Sequence, residues 1–304
     1  MKRLDQTIYL APEGFVDELR TELGDASDVR ERLVFAPGPP RTVAWAQNVW
    51  LEPYEIEIGS ITDAARKLRS IQRNWALCSL TLHRRAKLIQ DALPHVSARP
   101  ISFPSQAPAA PLGSWTLLDT HRLIASPNCT SPFPNGEVEF KEDRQGPPSR
   151  AYLKLWEALV RLGKWPRQGE RCIELGSSPG GWTYALHKLG ADVISVDKAP
   201  LDPKVAALPR VSILERSAFS IEPEEVGAVD WWFCDVICYP ARLFTLVSRW
   251  LAAGTCRRFV ATLKFQGRTD HQTARRFAAI PGSLLVHLFH NKHELTWILA
   301  EVET

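Results

Sequence analysis

Cys172-Ile173-Glu174-Leu175-Gly176-Ser177-Ser178-Pro179-Gly180-Gly181-Trp182 is the stretch on which the fold of this chain turns. An apolar run enters a glycine turn and passes into a helix start, and a second apolar run closes at Val193-Ile194-Ser195-Val196-Asp197. Adjacent parallel strands joined through a loop stripped of side chains form a crevice where a nucleoside-bearing cofactor can lie against backbone. The stretch therefore predicts a site as well as a fold class.

Outward from it, strands and helices alternate. Strands are expected at Arg171 to Leu175, Asp192 to Asp197, Val211 to Glu215, Val229 to Asp235, Phe259 to Phe265, Leu284 to His290 and Glu294 to Glu301. Helices are expected near Gly181 to Leu189, Ala241 to Leu251 and Gln272 to Ile280. This is the pattern of an α/β domain with a mostly parallel sheet covered on both faces. Only Asn291-Lys292-His293 separates the last two strands, too little for a crossover, so they must form an antiparallel hairpin. Upstream, Ser149 offers an N-cap for a helix from Arg150 to about Leu162. The proline-rich passage from Pro127 to Pro148 precedes it, placing a domain boundary between residues 1–145 and 146–304.

The first region reads as α+β, with strands at Thr7 to Ala11, Leu33 to Phe35 and Thr42 to Trp45, helices at Glu13 to Leu23 and Ile61 to Arg69, and structure resuming at Trp115 to Ala125. From Leu93 to Ser114 repeated prolines suit an extended connector. Net charge is only +3, but its distribution is uneven. Between Ala64 and Gln90 there is no acid, while Arg66, Lys67, Arg69, Arg73, Arg84, Arg85 and Lys87 are interleaved with Trp75 and His83. Such a run is either a solvated helix face or a nucleic-acid contact.

Composition excludes other classes. With 45% hydrophobic and 23% charged residues the chain is an ordinary soluble globular protein, and its apolar runs fall short of a bilayer span. The first residues lack the form of a signal peptide, so a cytoplasmic location is expected. The six cysteines include no CxxC pair; Cys234 and Cys238 flank a candidate catalytic acid, but no second pair of ligands is suitably spaced, and no metal is expected.

The glycine turn lacks the G-x-G-x-x-G of a dinucleotide fold, and Trp182-Thr183 stands where a P-loop has Lys-Ser or Lys-Thr. Glu174-x-Gly-x-x-Pro-Gly-Gly instead resembles the cofactor loop of S-adenosylmethionine-dependent methyltransferases, specifically the FtsJ-like RNA ribose 2′-O-methyltransferases. The resemblance implies a Rossmann-like, seven-stranded methyltransferase domain and a cofactor site at Glu174, Gly176, Ser178, Pro179, Gly180, Gly181 and Trp182, with Asp197 for the ribose hydroxyls, Ser217 and Asp235. Glycines let backbone approach a bulky ligand, free amides at the helix start can meet a carboxylate, and Glu174 can meet an ammonium.

By the same resemblance, Lys154, Asp235, Lys264 and Glu294 line up with the family's Lys-Asp-Lys-Glu catalytic tetrad. Lys264 is the expected general base. An amine usually titrating near 10.4 must be brought to about 7 to 8, at a cost of about 4 kcal/mol. Asp235 and Glu294 oppose that change, while burial, Lys154 and a sulfonium charge favour it.

The order of elements in the first region is similar in outline to the RlmM-type bacterial 23S rRNA cytidine 2′-O-methyltransferases. There a THUMP-related RNA-binding module, here about residues 55–125, precedes the catalytic domain. This implies RNA contact by the basic segment and by Arg150, with ribosomal RNA or its precursor as partner. Two departures stand out: Ser217 occupies a position where the family often has an acid for the adenine, and Asp235 is followed by Val236-Ile237-Cys238-Tyr239-Pro240 in place of the shorter Asp-x-x-Pro of the smaller relatives. Other readings are a catalytically inactive RNA-binding or ribosome-assembly protein, a methyltransferase acting on a base, protein or small molecule, and a nicotinamide dehydrogenase.

Overall fold

The computed structural model describes residues 1–97 and 99–301. The expected second domain reaches Thr304, of which residues 302–304 lie outside the described residues, as does Ala98 of the proline-rich connector. The chain separates into two units, one of residues Met1–Ile101 and Ala107–Glu139, the other of Ser102–Gln106 and Phe140–Thr304.

In the second unit, short segments rich in apolar residues form strands β1 (Arg171–Leu175), β2 (Asp192–Asp197), β3 (Val211–Glu215), β4 (Val229–Cys234), β5 (Cys256–Lys264), β6 (Ser283–Val286) and β7 (Glu294–Leu299). They make one seven-stranded sheet in the order β3-β2-β1-β4-β5-β7-β6. The pairings from β3 to β5 are parallel, and β7 runs antiparallel to both β5 and β6. Helices α1 (Tyr152–Leu162), α2 (Gly181–Lys188), α3 (Pro203–Ala206), α4 (Pro223–Val226), α5 (Pro240–Ala253) and α6 (His271–Ala278) accompany it. Strands β1, β4 and β7 are nearly all buried, which is why they read as continuous apolar runs. The strand order reverses at β1, where β2 leaves to one side and β4 to the other; ligand crevices open outside such a point.

The first unit holds two sheets. One has five strands in the spatial order Lys2–Arg3, Tyr54–Glu57, Arg122–Ser126, Gly113–Leu117 and Trp75–Leu77. Helices Ile61–Ile71 and His83–Asp91 pack on it around Leu68, Trp75, Ile89 and Trp115. The other has four strands, Asp28–Arg30, Leu33–Pro37, Gln6–Leu10 and Asn48–Trp50, with helix Val16–Leu23.

Three local expectations are corrected. Thr42 to Trp45 is not a strand, because the amides of Ala44 and Trp45 donate to the Glu22 carboxylate instead of to a neighbouring strand. Ser149 does not cap α1. The helix begins at Tyr152 with no side-chain cap, after a turn in which Leu153 and Lys154 donate to the carbonyls of Arg150 and Ala151. The strand expected to reach His290 stops at Val286, since Leu288 to Asn291 form a turn. Among the described residues no helix is long and apolar enough to cross a membrane.

Candidate active site

The crevice at the reversal point is built by the glycine loop between β1 and α2. Gly176 has φ +82°, and a Cβ there would lie 2.8 Å from the Val236 amide nitrogen, so only glycine lets the β1 and β4 loops pass this closely. The amides of Gly176 and Ser177 donate to the Val196 carbonyl at the end of β2. Asp197 ties the far side: one oxygen accepts from the Ser178 amide and the other from the Ala199 amide, each at 3.0 Å. Gly180, at φ +110°, begins α2 against Val205, while Gly181 leaves room for the Ser149 hydroxyl. The buried Trp182 donates its indole N–H to the Ala151 carbonyl at 2.8 Å, fixing α2 to the start of α1.

A cavity of about 420 Å³ lies over this loop, within the range of small-molecule sites. Of the sequence-derived candidates, Gly176, Ser178, Asp197, Ser217, Asp235 and Lys264 line it. Glu174, Pro179, Gly180, Gly181 and Trp182 do not; they lie beneath or beside the loop and shape it. Glu174 is fully buried, accepts from the Thr183 hydroxyl at 2.5 Å, and is pushed up to about 8 by that burial. Ser217 accepts a bond from the Phe219 amide at the start of a short turn, Ala218–Ser220.

Lys198, Phe219, Ile237 and Arg242 also line the cavity and were missed by sequence reasoning. Their signal is positional, since they follow the carboxyl ends of β2, β3 and β4. Arg242 is the subtlest: from the first turn of α5 it lays its guanidinium over the Phe219 ring, 3.7 Å from the centroid.

At the cavity's edge Lys154, Asp235, Lys264 and Glu294 meet. Lys154 on α1 reaches Asp235 Oδ1 at 3.1 Å and Glu294 Oε1 at 2.9 Å. Lys264, the last residue of β5, reaches the same Asp235 Oδ1 at 3.1 Å and donates to the Asp235 backbone carbonyl at 2.5 Å. Burial works against the Lys154 ammonium, but the Asp235 and Glu294 carboxylates outweigh it and raise the group above the usual lysine range. Lys154 is thus a fixed cation at neutral pH. Two lysines and two carboxylates stand together beside a cavity, an arrangement suited to moving a proton.

One turn beyond Lys154, Glu157 is completely buried and holds the turn ahead of β7. It accepts from the amides of Phe289 and His290 and from the His290 ring, and it pairs with Arg161. Burial opposes its ionisation, yet the His290 and Arg161 contacts and the amides prevail and hold its carboxyl below the usual range.

Residues 147–263 match a family model, and this span carries the glycine loop, Lys154 and Asp235. The match is to the FtsJ-like methyltransferases. Among curated relatives, the ribosomal RNA large subunit methyltransferase M of Aromatoleum aromaticum is 33% identical over 168 residues, covering 50% of this chain and 45% of that one. Its namesake in Halorhodospira halophila is 33% identical over 186 residues, covering 59% and 54% respectively. The one in Azoarcus sp. is 32% identical over 182 residues, covering 55% and 49%. The chain spans about half the length of these curated relatives. Lys264 and Glu294 fall beyond the FtsJ-like span and join its residues through the pairing of β5 with β7.

The candidate RNA-binding residues belong to two places. In the first unit Arg66 and Lys67 pair with Asp63, and Lys87 with Asp91, acids just outside the acid-free run. Arg69, Arg73 and Arg84 are exposed and make no ion pair among the described residues, and Arg85 is half-buried. Arg150, in the second unit, is exposed and pairs with Glu142 at 2.7 Å. Among the described residues no group of three or more His, Cys, Asp or Glu comes together to hold a metal ion.

Proposed function

We propose that this chain is an RNA ribose 2′-O-methyltransferase that uses S-adenosylmethionine and acts on ribosomal RNA of the large subunit. The observation that carries the reading is the meeting of Lys154, Asp235, Lys264 and Glu294 beside the cavity over the glycine loop. The donor set fits the cofactor. Carboxylates at Asp197 and Asp235 answer hydroxyl and ammonium groups, and the glycine loop itself offers no lysine for a phosphate chain. Asp197 would hold the ribose hydroxyls, the Ser217 to Phe219 turn the base, and the loop from Gly176 with Asp235 the amino-acid end.

When bound, the cofactor supplies an electrophilic methyl group on a positively charged sulfur. Lys264 takes the proton of the substrate's ribose hydroxyl as general base. Asp235 orients Lys264 through the shared carboxylate oxygen, and Lys154, fixed between Asp235 and Glu294, steadies the charge that grows on the attacking oxygen. The catalytic domain is assigned to residues 146–304. Residues 1–145, with a THUMP-like part at about 55–125, are assigned to holding the RNA, with Arg69, Arg73 and Arg84 as the cations best placed to meet phosphates.

Mapping ribose methylation in ribosomal RNA from cells with and without this protein tests the reading. One ribose should lose its methyl group when the protein is absent; no change at any ribose overturns it. A Lys264→Ala protein that binds cofactor and RNA normally yet keeps full turnover would rule out the base assignment.

A further inference from the structure

The loop that carries Asp235 into α5 places apolar side chains in water beside the cavity. Ile237 is 76% exposed and Tyr239 is 65% exposed, while Cys238 between them is buried. The chain bends at Cys238, which turns inward while Ile237 and Tyr239 stay in water. Ile237 lines the cavity together with Asp235 and Lys264. Tyr239 is held by its backbone, because its carbonyl accepts the amides of Arg242 and Leu243 as α5 begins. Its ring makes no hydrogen bond among the described residues. A rigid backbone carrying an exposed ring, four residues from the acid that orients the base, is a surface built to be covered during turnover.

The charge around it indicates by what. Lys198 and Arg242 line the same cavity beside the carboxylates Asp197 and Asp235, so an occupant that brings both a phosphate and a flat face can be held there. Single-stranded nucleic acid has both properties, and aromatic side chains hold it by stacking on unstacked bases. We propose that Tyr239, with Ile237 beside it, is a stacking site for a nucleobase of the substrate RNA next to the ribose that enters the cavity. This rests on the RNA methyltransferase reading above. It assigns a task to the Val236-Ile237-Cys238-Tyr239-Pro240 connection, which leads from the Asp235 carboxylate to the exposed ring.

The test uses the full chain, large-subunit ribosomal RNA from cells lacking the protein, and two short probes, an oligocytidylate and an abasic ribose-phosphate oligomer of equal length. Tyr239→Ala should weaken oligocytidylate binding and raise KM for ribosomal RNA about 5- to 150-fold, the range for removal of one base stack. Tyr239→Phe should keep wild-type values and Tyr239→Leu should not, which separates stacking from simple apolar cover. The abasic oligomer should bind the wild type and Tyr239→Ala equally. S-adenosylhomocysteine binding, followed by calorimetry, reports on the cofactor site independently. Equal binding of oligocytidylate by wild type and Tyr239→Ala overturns the proposal while leaving the methyltransferase reading intact. A wild-type protein that transfers no methyl group to ribosomal RNA overturns both.

Discussion

Lys264 and Glu294 stand directly opposite each other where β5 pairs antiparallel with β7. The pairing brings Glu294 to Lys154, and Lys154 and Lys264 then share one oxygen of Asp235. A slip of one residue would turn Glu294 to the other face of the sheet. The cluster is therefore set by register.

Removing the central cation should expose this. Lys154→Met leaves Asp235 and Glu294 as largely buried carboxylates without the ammonium between them, and stability should fall by about 3 kcal/mol. Adding Glu294→Gln should restore part of the loss. Urea unfolding of the single and double variants checks this, and both should lose methyl transfer.

Glu174 makes the protein less stable as the solution becomes more alkaline. Its folded pKa, about 8, lies above the value of about 4.5 for an exposed carboxyl, so between the two the folded state binds more protons than the unfolded state. Its contribution is complete below about pH 4.5 and declines as pH rises to about 8. Glu174→Gln should match the wild type near pH 4.5 and exceed it at pH 8 by a few kcal/mol, read from denaturant unfolding at each pH.

Glu157 has the opposite sign. Its carboxyl is held below the usual range, so its stabilisation is present above the unfolded value and lost as pH falls through the folded one. Glu157→Gln should flatten the acid limb of the stability curve and lower stability near pH 7 by about 3 kcal/mol. Thermal unfolding from about pH 7 to about pH 3 measures both.

Gly176→Ala should cost about 2 kcal/mol, because a residue with a side chain is strained at φ +82° and its Cβ would press on Val236. Since Val236 and Gly176 both line the cavity, stabilisation by S-adenosylhomocysteine in a thermal melt should shrink as well.

Replacing Arg69, Arg73 and Arg84 together with Gln should weaken binding of large-subunit ribosomal RNA and reduce the slope of log affinity against log salt by about 0.7 for each phosphate these cations neutralise. An unchanged slope assigns them to solvent.

The alternation of strands and helices after Arg171 was legible because most of the runs have the length and apolar character of a buried strand, and the structure gives a seven-stranded sheet with β6 and β7 as an antiparallel pair. The site was legible where a backbone requirement left a mark, as at Gly176, or where acids and bases stood at strand ends, as at Asp235 and Lys264. Arg242 and Phe219 left no such mark, since their contact joins residues on different elements through side-chain direction alone. Glu22 shows the same limit: a helix carboxylate claimed the amides of Ala44 and Trp45, and a segment with strand-like composition became a turn.

The position of β7 has a bearing on synthesis. Of the seven strands in its sheet it is the last to be synthesised, yet it lies inside that sheet, between β5 and β6. Until it inserts, β5 presents an open edge of unpaired backbone groups, and an open edge can pair with the wrong chain. The nascent polypeptide at that stage already carries the glycine loop and three members of the charged cluster but lacks Glu294. Completion of the sheet and completion of the cluster are thus one event.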